Sequence, residues 1–193
     1  MTSFQDDEAL VAAALAGSLP AWDKLVRRYE RKIYNYGLRL TGNATDAMDL
    51  MQEVFLGVYR NLDRFRGDAR FSSWIFRIAH NKAVDMNRRN ALLRGQGFSH
   101  DDSTPGGLPQ LSADETTEPD RCLANERRNE QIARLLQSLS LEQRLVVEMK
   151  IYQSLTFEEI SRLQEISENT AKTRFYTALR KLRSILEESH VMS

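Results

Sequence analysis

Between Gly95 and Asn125 the chain cannot build a core, and that one stretch fixes the architecture around it. It holds three of the four prolines (Pro105, Pro109, Pro119), four of the nine glycines, and six acidic residues against one basic residue. Its few apolar residues follow no period. Such a segment buries too little apolar surface to offset the entropy of ordering it, which predicts a mobile linker over 94–126. Its acidity suits plain solvation, or occupancy of a basic channel as a polyanion mimic. Two blocks remain, 6–93 and 127–190, each the size of one small domain.

Both blocks carry apolar residues at helical spacing and neither alternates with period two, so the expected fold is all-α. Helices are predicted over 5–16, 19–40, 46–62 and 72–90. The second carries Trp22, Leu25, Val26, Tyr29, Ile33, Tyr36 and Leu40, with Pro20 near its start and Thr41-Gly42 at its stop. The third carries Met48, Met51, Val54, Phe55, Val58 and Leu62, and the fourth Trp74, Ile75, Ile78, Ala79 and Val84. Residues 127–150 read as one or two further helices.

Composition excludes several classes of function. A single cysteine, Cys122, rules out an internal disulfide framework or a cysteine metal cluster, and three scattered histidines leave little for zinc or a Ser-His-Asp relay. No apolar run approaches the ~18 residues of a membrane span, and the start lacks a basic leader, so a cytoplasmic protein is expected. The net charge of zero conceals segregation: residues 60–94 hold nine basic and three acidic residues, and residues 167–193 five and three. Two basic zones therefore flank the acidic linker.

In the second zone, Thr156 and Glu159 have the spacing of a capping box ahead of a short helix to Leu163. A break at Gln164-Glu165-Ile166 follows, and Ser167 opens a longer helix to about Leu186. Ala171, Phe175, Ala178, Leu179 and Leu182 form its buried side, and small Ser161 is expected to let the two helices approach closely. Glu168, Asn169, Lys172, Thr173, Arg174, Tyr176, Thr177 and Arg180 are left outside. This is the layout of a helix-turn-helix, whose second helix enters the major groove. Basic side chains there hold phosphates, and Thr, Tyr and Asn can read base edges.

The first block offers two faces. On helix 46–62, Asp49, Gln52, Glu53, Leu56 and Arg60 recur every three or four residues opposite the core stripe, a pattern suited to a basic protein partner or to plain solvation. In the zone that follows, Phe65, Phe71, Trp74 and Phe76 are interleaved with basic residues. Rings that stack on unpaired bases and cations that track a backbone suit single strands better than duplex. The loop around Arg66-Gly67-Asp68 could wall a pocket for an extruded base. These residues alone leave open an autonomous helix-turn-helix regulator with an N-terminal dimerisation domain. No carboxylate pair, His/Cys cluster or phosphate-cradling glycine loop favours an enzyme.

The order of motifs is more specific. Asp49-Leu50-Met51-Gln52-Glu53-Val54-Phe55, Tyr59-Arg60, Phe65-Arg66-Gly67-Asp68, Phe71-x-x-Trp74-Ile75-x-x-Ile78-Ala79-x-Asn81, Asp85 and Arg88-Arg89 together resemble region 2 of a bacterial sigma factor. The helix-turn-helix resembles region 4. With these two regions and a short linker, the chain resembles the extracytoplasmic-function (ECF) group of RNA polymerase sigma factors.

The resemblance implies a non-enzymatic subunit without cofactor, metal or small-molecule substrate. It implies that Asp49, Gln52, Glu53, Leu56 and Arg60 meet the beta-prime clamp helices of core RNA polymerase, with the beta flap as a further contact of the polymerase. Asn61, Phe65, Phe76 and Asn81, with Arg66, Asp68 and Arg70 of the loop, would hold the flipped minus-ten base. Arg77, Lys82, Arg88 and Arg89 would hold phosphates. Glu168, Asn169, Lys172, Thr173, Arg174, Tyr176, Thr177 and Arg180 would face the minus-thirty-five element of promoter DNA. A membrane-anchored anti-sigma factor is the implied regulator. This chain departs from the family in three places. Ser167-Glu168-Asn169-Thr170-Ala171-Lys172 replaces the frequent Pro-x-Gly-Thr-Val-Lys, Glu165 stands where glycine is common in the turn, and Asn61 replaces a small residue.

Overall fold

The computed structural model describes residues 3–93 and 121–191. Among the described residues there are helices and no strand, which makes the fold all-α. Residues 3–37 and 43–93 form one compact unit, and residues 38–42 and 121–191 form the other.

In the first unit α1 (Ser3–Leu15), α2 (Leu19–Thr41), α3 (Ala44–Asn61) and α4 (Phe71–Leu93) surround one core, and a 3-10 turn at Leu62–Arg64 follows α3. The core is a set of four-residue ladders: Leu25, Tyr29, Ile33 on α2, Leu50, Val54, Val58 on α3, and Phe71, Ile75, Ala79, Ala83 on α4, all buried. That spacing puts one side chain per turn on the same stripe of each helix. Asn43 starts α3 by accepting from the amides of Thr45 and Asp46 at 2.8 and 3.1 Å. Helix α1 is fastened through its buried Asp7, which accepts from Arg28 Nη1 at 2.6 Å and from the Tyr29 hydroxyl at 2.5 Å.

Two expectations for this unit are corrected. Met48 is not core but 42% exposed, because Ala47 and Leu50 take its place on the buried stripe. Phe71 is not an outward ring: it is 3% exposed and starts the α4 ladder, so it cannot stack on a base. Trp74 and Ile78 are half-buried flanks of that ladder.

The second unit holds α5 (Arg121–Leu136), α6 (Leu141–Val147) continued by a π-helical turn (Glu148–Tyr152), α7 (Phe157–Gln164) and α8 (Glu168–Val191). Helix α5 begins at Arg121, so Cys122 and the last residues of the expected linker are helical. Residues 94–120 of that linker lie outside the described residues. Ser140 and Gln143 form a capping box on α6. Val146, Met149, Ile160 and Ala171 make one core cluster, and Leu136, Leu139, Val147 and Ala178 another. Arg39, from the part of α2 that belongs to this unit, forms a buried bidentate pair with Glu148 at 2.6 and 2.8 Å. Two parallel charge-assisted bonds satisfy both groups away from water. Leu179, expected inside, is half turned out at 36% exposure, because Ala178 and Leu182 hold the inner stripe.

Candidate nucleic-acid interface

Helix α3 turns a row of side chains away from its core. Asp49, Gln52, Leu56 and Arg60 are exposed on it, and Glu53 stands at its edge toward α4. Leu56 is 48% exposed and Tyr59, one turn further on, is 66% exposed. Tyr59 meets Trp22 of α2 edge-on at 5.3 Å between centroids. Met48 and Tyr59 thus belong to this face although sequence periodicity did not place them there. The signal was available for Tyr59, which stands three residues after Leu56. Apolar and aromatic groups ringed by carboxylate and amide form a face suited to a partner rather than to water alone.

Helix α4 presents Arg77, Asn81 and Arg88 to solvent at spacings of four and seven, with Arg89 exposed beside them. The loop before it carries exposed Arg66, Asp68 and Arg70, and Gly67 bends it at φ +77°, a conformation natural to glycine. Phe65 is half-buried. Its ring stands edge-on to Phe71 at 5.5 Å and tilted against Trp74 at 5.4 Å. Asn61 directs its amide inward, donating from Nδ2 to the Gly57 carbonyl at 2.8 Å. Phe76 does not join this group. It packs against Tyr36 of α2 at 5.7 Å, on the opposite flank of α4 from Trp74, because two positions along a helix rotate by more than half a turn. The structure thus sets half-buried Phe65 against Trp74 of α4 and leaves the loop residues Arg66, Asp68 and Arg70 and the α4 residues Arg77 and Asn81 exposed, with Phe76 on the other flank of the helix. Lys82 is also drawn aside: its Nζ donates to Glu53 Oε2 at 3.0 Å. That bond, then Lys82's charge, and then the charges of Arg89 and Arg60 hold the Glu53 carboxyl below the usual carboxylate range.

In the second unit the capping box on α7 is complete. Thr156 Oγ1 accepts from the Glu159 amide at 3.2 Å, and Glu159 Oε2 accepts from the Thr156 amide at 2.7 Å. The Thr156 amide, and its hydroxyl donating to the same oxygen at 2.9 Å, stabilise the Glu159 carboxylate and lower its pKa. Glu165 ends the helix at φ +54° and ψ +40°, the left-handed conformation. Ser167 Oγ then accepts from the Thr170 amide at 3.0 Å, so serine caps α8 where proline is frequent. Ala171 of α8 and Ile160 of α7, both fully buried, share one core cluster, and Ser161 donates back to the Glu158 carbonyl at 2.8 Å.

A left-handed glutamate has a testable cost. Glu165→Gly should raise the stability of this unit by ~1 kcal/mol, since only the side chain's Cβ opposes that backbone. Urea unfolding followed at 222 nm checks it, and an unchanged or lowered midpoint would show that the turn is not strained.

Outside, Asn169, Thr173, Tyr176 and Arg180 form one row on α8, spaced four, three and four residues apart, all exposed. Tyr176 is 56% exposed and leans on Phe175 at 5.5 Å and on Phe157 at 6.3 Å. Arg180 Nη2 donates to Thr177 Oγ1 at 3.2 Å. Lys172 lies on one flank, paired with Glu168 at 2.6 Å, and Arg174 and Thr177 on the other. A central row of hydrogen-bonding groups between cationic flanks matches the needs of a major groove, base edges between two phosphate walls.

Among the described residues no cluster of three or more His, Cys, Asp or Glu is placed to hold a metal ion, and no helix is long and apolar enough to cross a membrane.

Comparison with known proteins gives this arrangement its family. The family model for Sigma-70 region 2 matches residues 25–92, and that for Sigma-70, region 4 matches residues 129–182. The ECF RNA polymerase sigma factor SigE of Mycolicibacterium smegmatis is 30% identical over 170 residues, 88% of this chain. The chain belongs to the ECF sigma factors. It spans 63% of the length of that SigE relative. The RNA polymerase sigma-H factor of Pseudomonas aeruginosa is 27% identical to this sigma factor over 182 residues, 92% of each chain. The fold matches that of the sigma factor RpoE solved with the anti-sigma factor NepR from Bartonella quintana. The TM-score is 0.61 and the identity 15%, over 86% of this chain and 96% of that one.

Proposed function

We propose that the chain is an alternative promoter-specificity subunit of RNA polymerase. Region 2, over 6–93, binds the clamp helices of core polymerase's beta-prime subunit through α3 and holds unpaired minus-ten bases on α4 and its preceding loop. Region 4, over 127–190, lays α8 on the minus-thirty-five duplex and meets the beta flap; residues 94–126 join the two. The subunit contributes binding rather than catalysis, which polymerase supplies, and its compartment is polymerase's own, the cytoplasm. An anti-sigma factor anchored in a membrane, covering these faces until a signal arrives, is its regulator; the structural neighbour from Bartonella quintana was solved with an anti-sigma factor.

One observation carries this reading. The first unit sets a partner-type row on α3 and a basic row on α4, with half-buried Phe65 of the preceding segment packed against Trp74 of α4. A duplex-only regulator has no need of the second row, and a solvated bundle has no need of either.

The test is run-off transcription with purified core polymerase on promoter DNA. The chain should confer promoter-dependent initiation. Asn81→Ala, at an exposed position, should reduce open complexes about five- to a hundredfold, read as permanganate reactivity of unpaired thymines, because a base-edge contact and the stacking it positions are lost. Melting at the wild-type level by the variant would remove α4's solvent row from the single-strand site.

A further inference from the structure

We propose that the Glu53–Lys82 ion pair couples the two faces of region 2. While Glu53 holds Lys82, the lysine is withheld from the DNA backbone; a basic polymerase side chain that takes Glu53 releases it. This rests on the reading of α3 as the polymerase face and α4 as the single-strand face.

The geometry is specific. Lys82 follows Asn81 of α4's solvent row but is turned toward α3, one turn beyond Ile78. Its stem passes beside Gly57 of α3, where a Cβ would touch Lys82 Cε at an ordinary 3.7 Å and crowd only Ile78 Cγ2, at 3.1 Å. Gly57 lies one helical turn after Glu53, so a stem crossing Gly57 delivers its ammonium to Glu53 Oε2 at 3.0 Å. The pair thus joins residues 29 apart in sequence across two helices that carry different faces. By contrast, the Glu168–Lys172 pair lies within one helix and links nothing.

Exposure makes the pair exchangeable. The Lys82 and Glu53 side chains are 33% and 45% exposed, so each can be reached by an incoming group. Partly solvated pairs are weak, so a partner cation can displace Lys82 and a phosphate can then receive it. Arg60 and Arg89 also act on the Glu53 carboxylate, which is already a site that draws cations. Polymerase binding and backbone binding then favour each other, and the free subunit binds DNA less well than the bound one.

The experiment uses the full-length protein without polymerase and a fluorescent oligothymidylate of about twenty nucleotides, titrated over a range of salt. Glu53→Gln should bind it about two- to fivefold tighter than wild type, with a salt slope steeper by about 0.7, one added phosphate contact. In a Lys82→Ala background the same substitution should gain nothing. Equal affinity of wild type and Glu53→Gln, or no binding by either, overturns the proposal. A gain that persists without Lys82 also overturns it, since the carboxylate then only repels DNA. Run-off transcription with the wild-type chain keeps the two readings apart. Without promoter-dependent initiation the sigma-factor reading falls; with normal initiation and no Lys82-dependent gain, the coupling alone falls.

Discussion

Leu56→Arg should weaken association with core RNA polymerase by about thirtyfold or more, the loss of ~2 kcal/mol, while the helical circular-dichroism spectrum and the unfolding midpoint stay as they are. Leu56 occupies the middle of the α3 row, 48% exposed, with Gln52 and Arg60 a turn away on either side. Its side chain lies outside the buried α3 stripe of Ala47, Leu50, Val54 and Val58. Its removal therefore costs the fold little. Against a basic partner, arginine both loses the apolar contact and adds like-charge repulsion. Asp49→Asn, nearer the rim, should cost less than tenfold and act chiefly on the association rate. Binding measured with labelled subunit and purified core decides it. Unchanged affinity in a folded Leu56→Arg protein would make the α3 row a solvated surface and move the polymerase site elsewhere.

Much of this site was legible because helices repeat. The row Asp49-Gln52-Leu56-Arg60 follows from spacing alone, as does the α8 row from Asn169 to Arg180, since 3.6 residues per turn sorts side chains into faces without any coordinates. Punctuation was legible for the same reason. Thr156 with Glu159 and Ser167 with Thr170 state where α7 and α8 begin, and the structure supplies those bonds. Which of several neighbouring aromatic rings faces outward was harder. Phe65, Phe71, Trp74 and Phe76 look alike as composition, yet Phe71 is core, Phe65 and Trp74 stand on one flank and Phe76 on the other. The ladder Phe71-Ile75-Ala79-Ala83 was in the sequence, and giving it precedence over the clustering of rings would have placed Phe71 inside. Met48 failed for the reverse reason: Ala47 contributes little hydrophobicity to a periodic reading, although its small size lets it take the buried position. The Glu53–Lys82 pair had no local signal at all. It depends on the register with which α3 meets α4 across Gly57, a tertiary quantity. The left-handed turn at Glu165 lies between these cases. The position of the break was readable, but glutamate does not announce the left-handed backbone that Glu165 adopts.

Acid should loosen the first unit well above the carboxylate range, and His80 is the reason. This histidine lies buried on α4 between the core residue Ala79 and the exposed Asn81, and its Nδ1 has no hydrogen-bond partner. Burial disfavours the imidazolium and pushes the pKa down from 6.5 to about 4. In the unfolded chain the same ring protonates near its ordinary value. Between those two values the unfolded state binds the extra proton, so stability rises with pH and falls as pH is lowered. The contribution is complete above about pH 7, has fallen by ~2 kcal/mol at pH 5 and by ~3 kcal/mol once the folded form also protonates. A domain of this size has only ~5–15 kcal/mol in total, so the effect is large. Urea unfolding of wild type and His80→Leu between pH 7.5 and 5 isolates it, because the leucine variant lacks the titration while keeping an apolar group in the space. The wild-type curve should fall with pH and the variant's should be nearly flat over that range. Because His80 adjoins Asn81, single-strand binding should weaken over the same interval in wild type and not in the variant. Parallel stability curves for the two proteins would mean that the ring reaches water, and that its protonation costs the fold nothing.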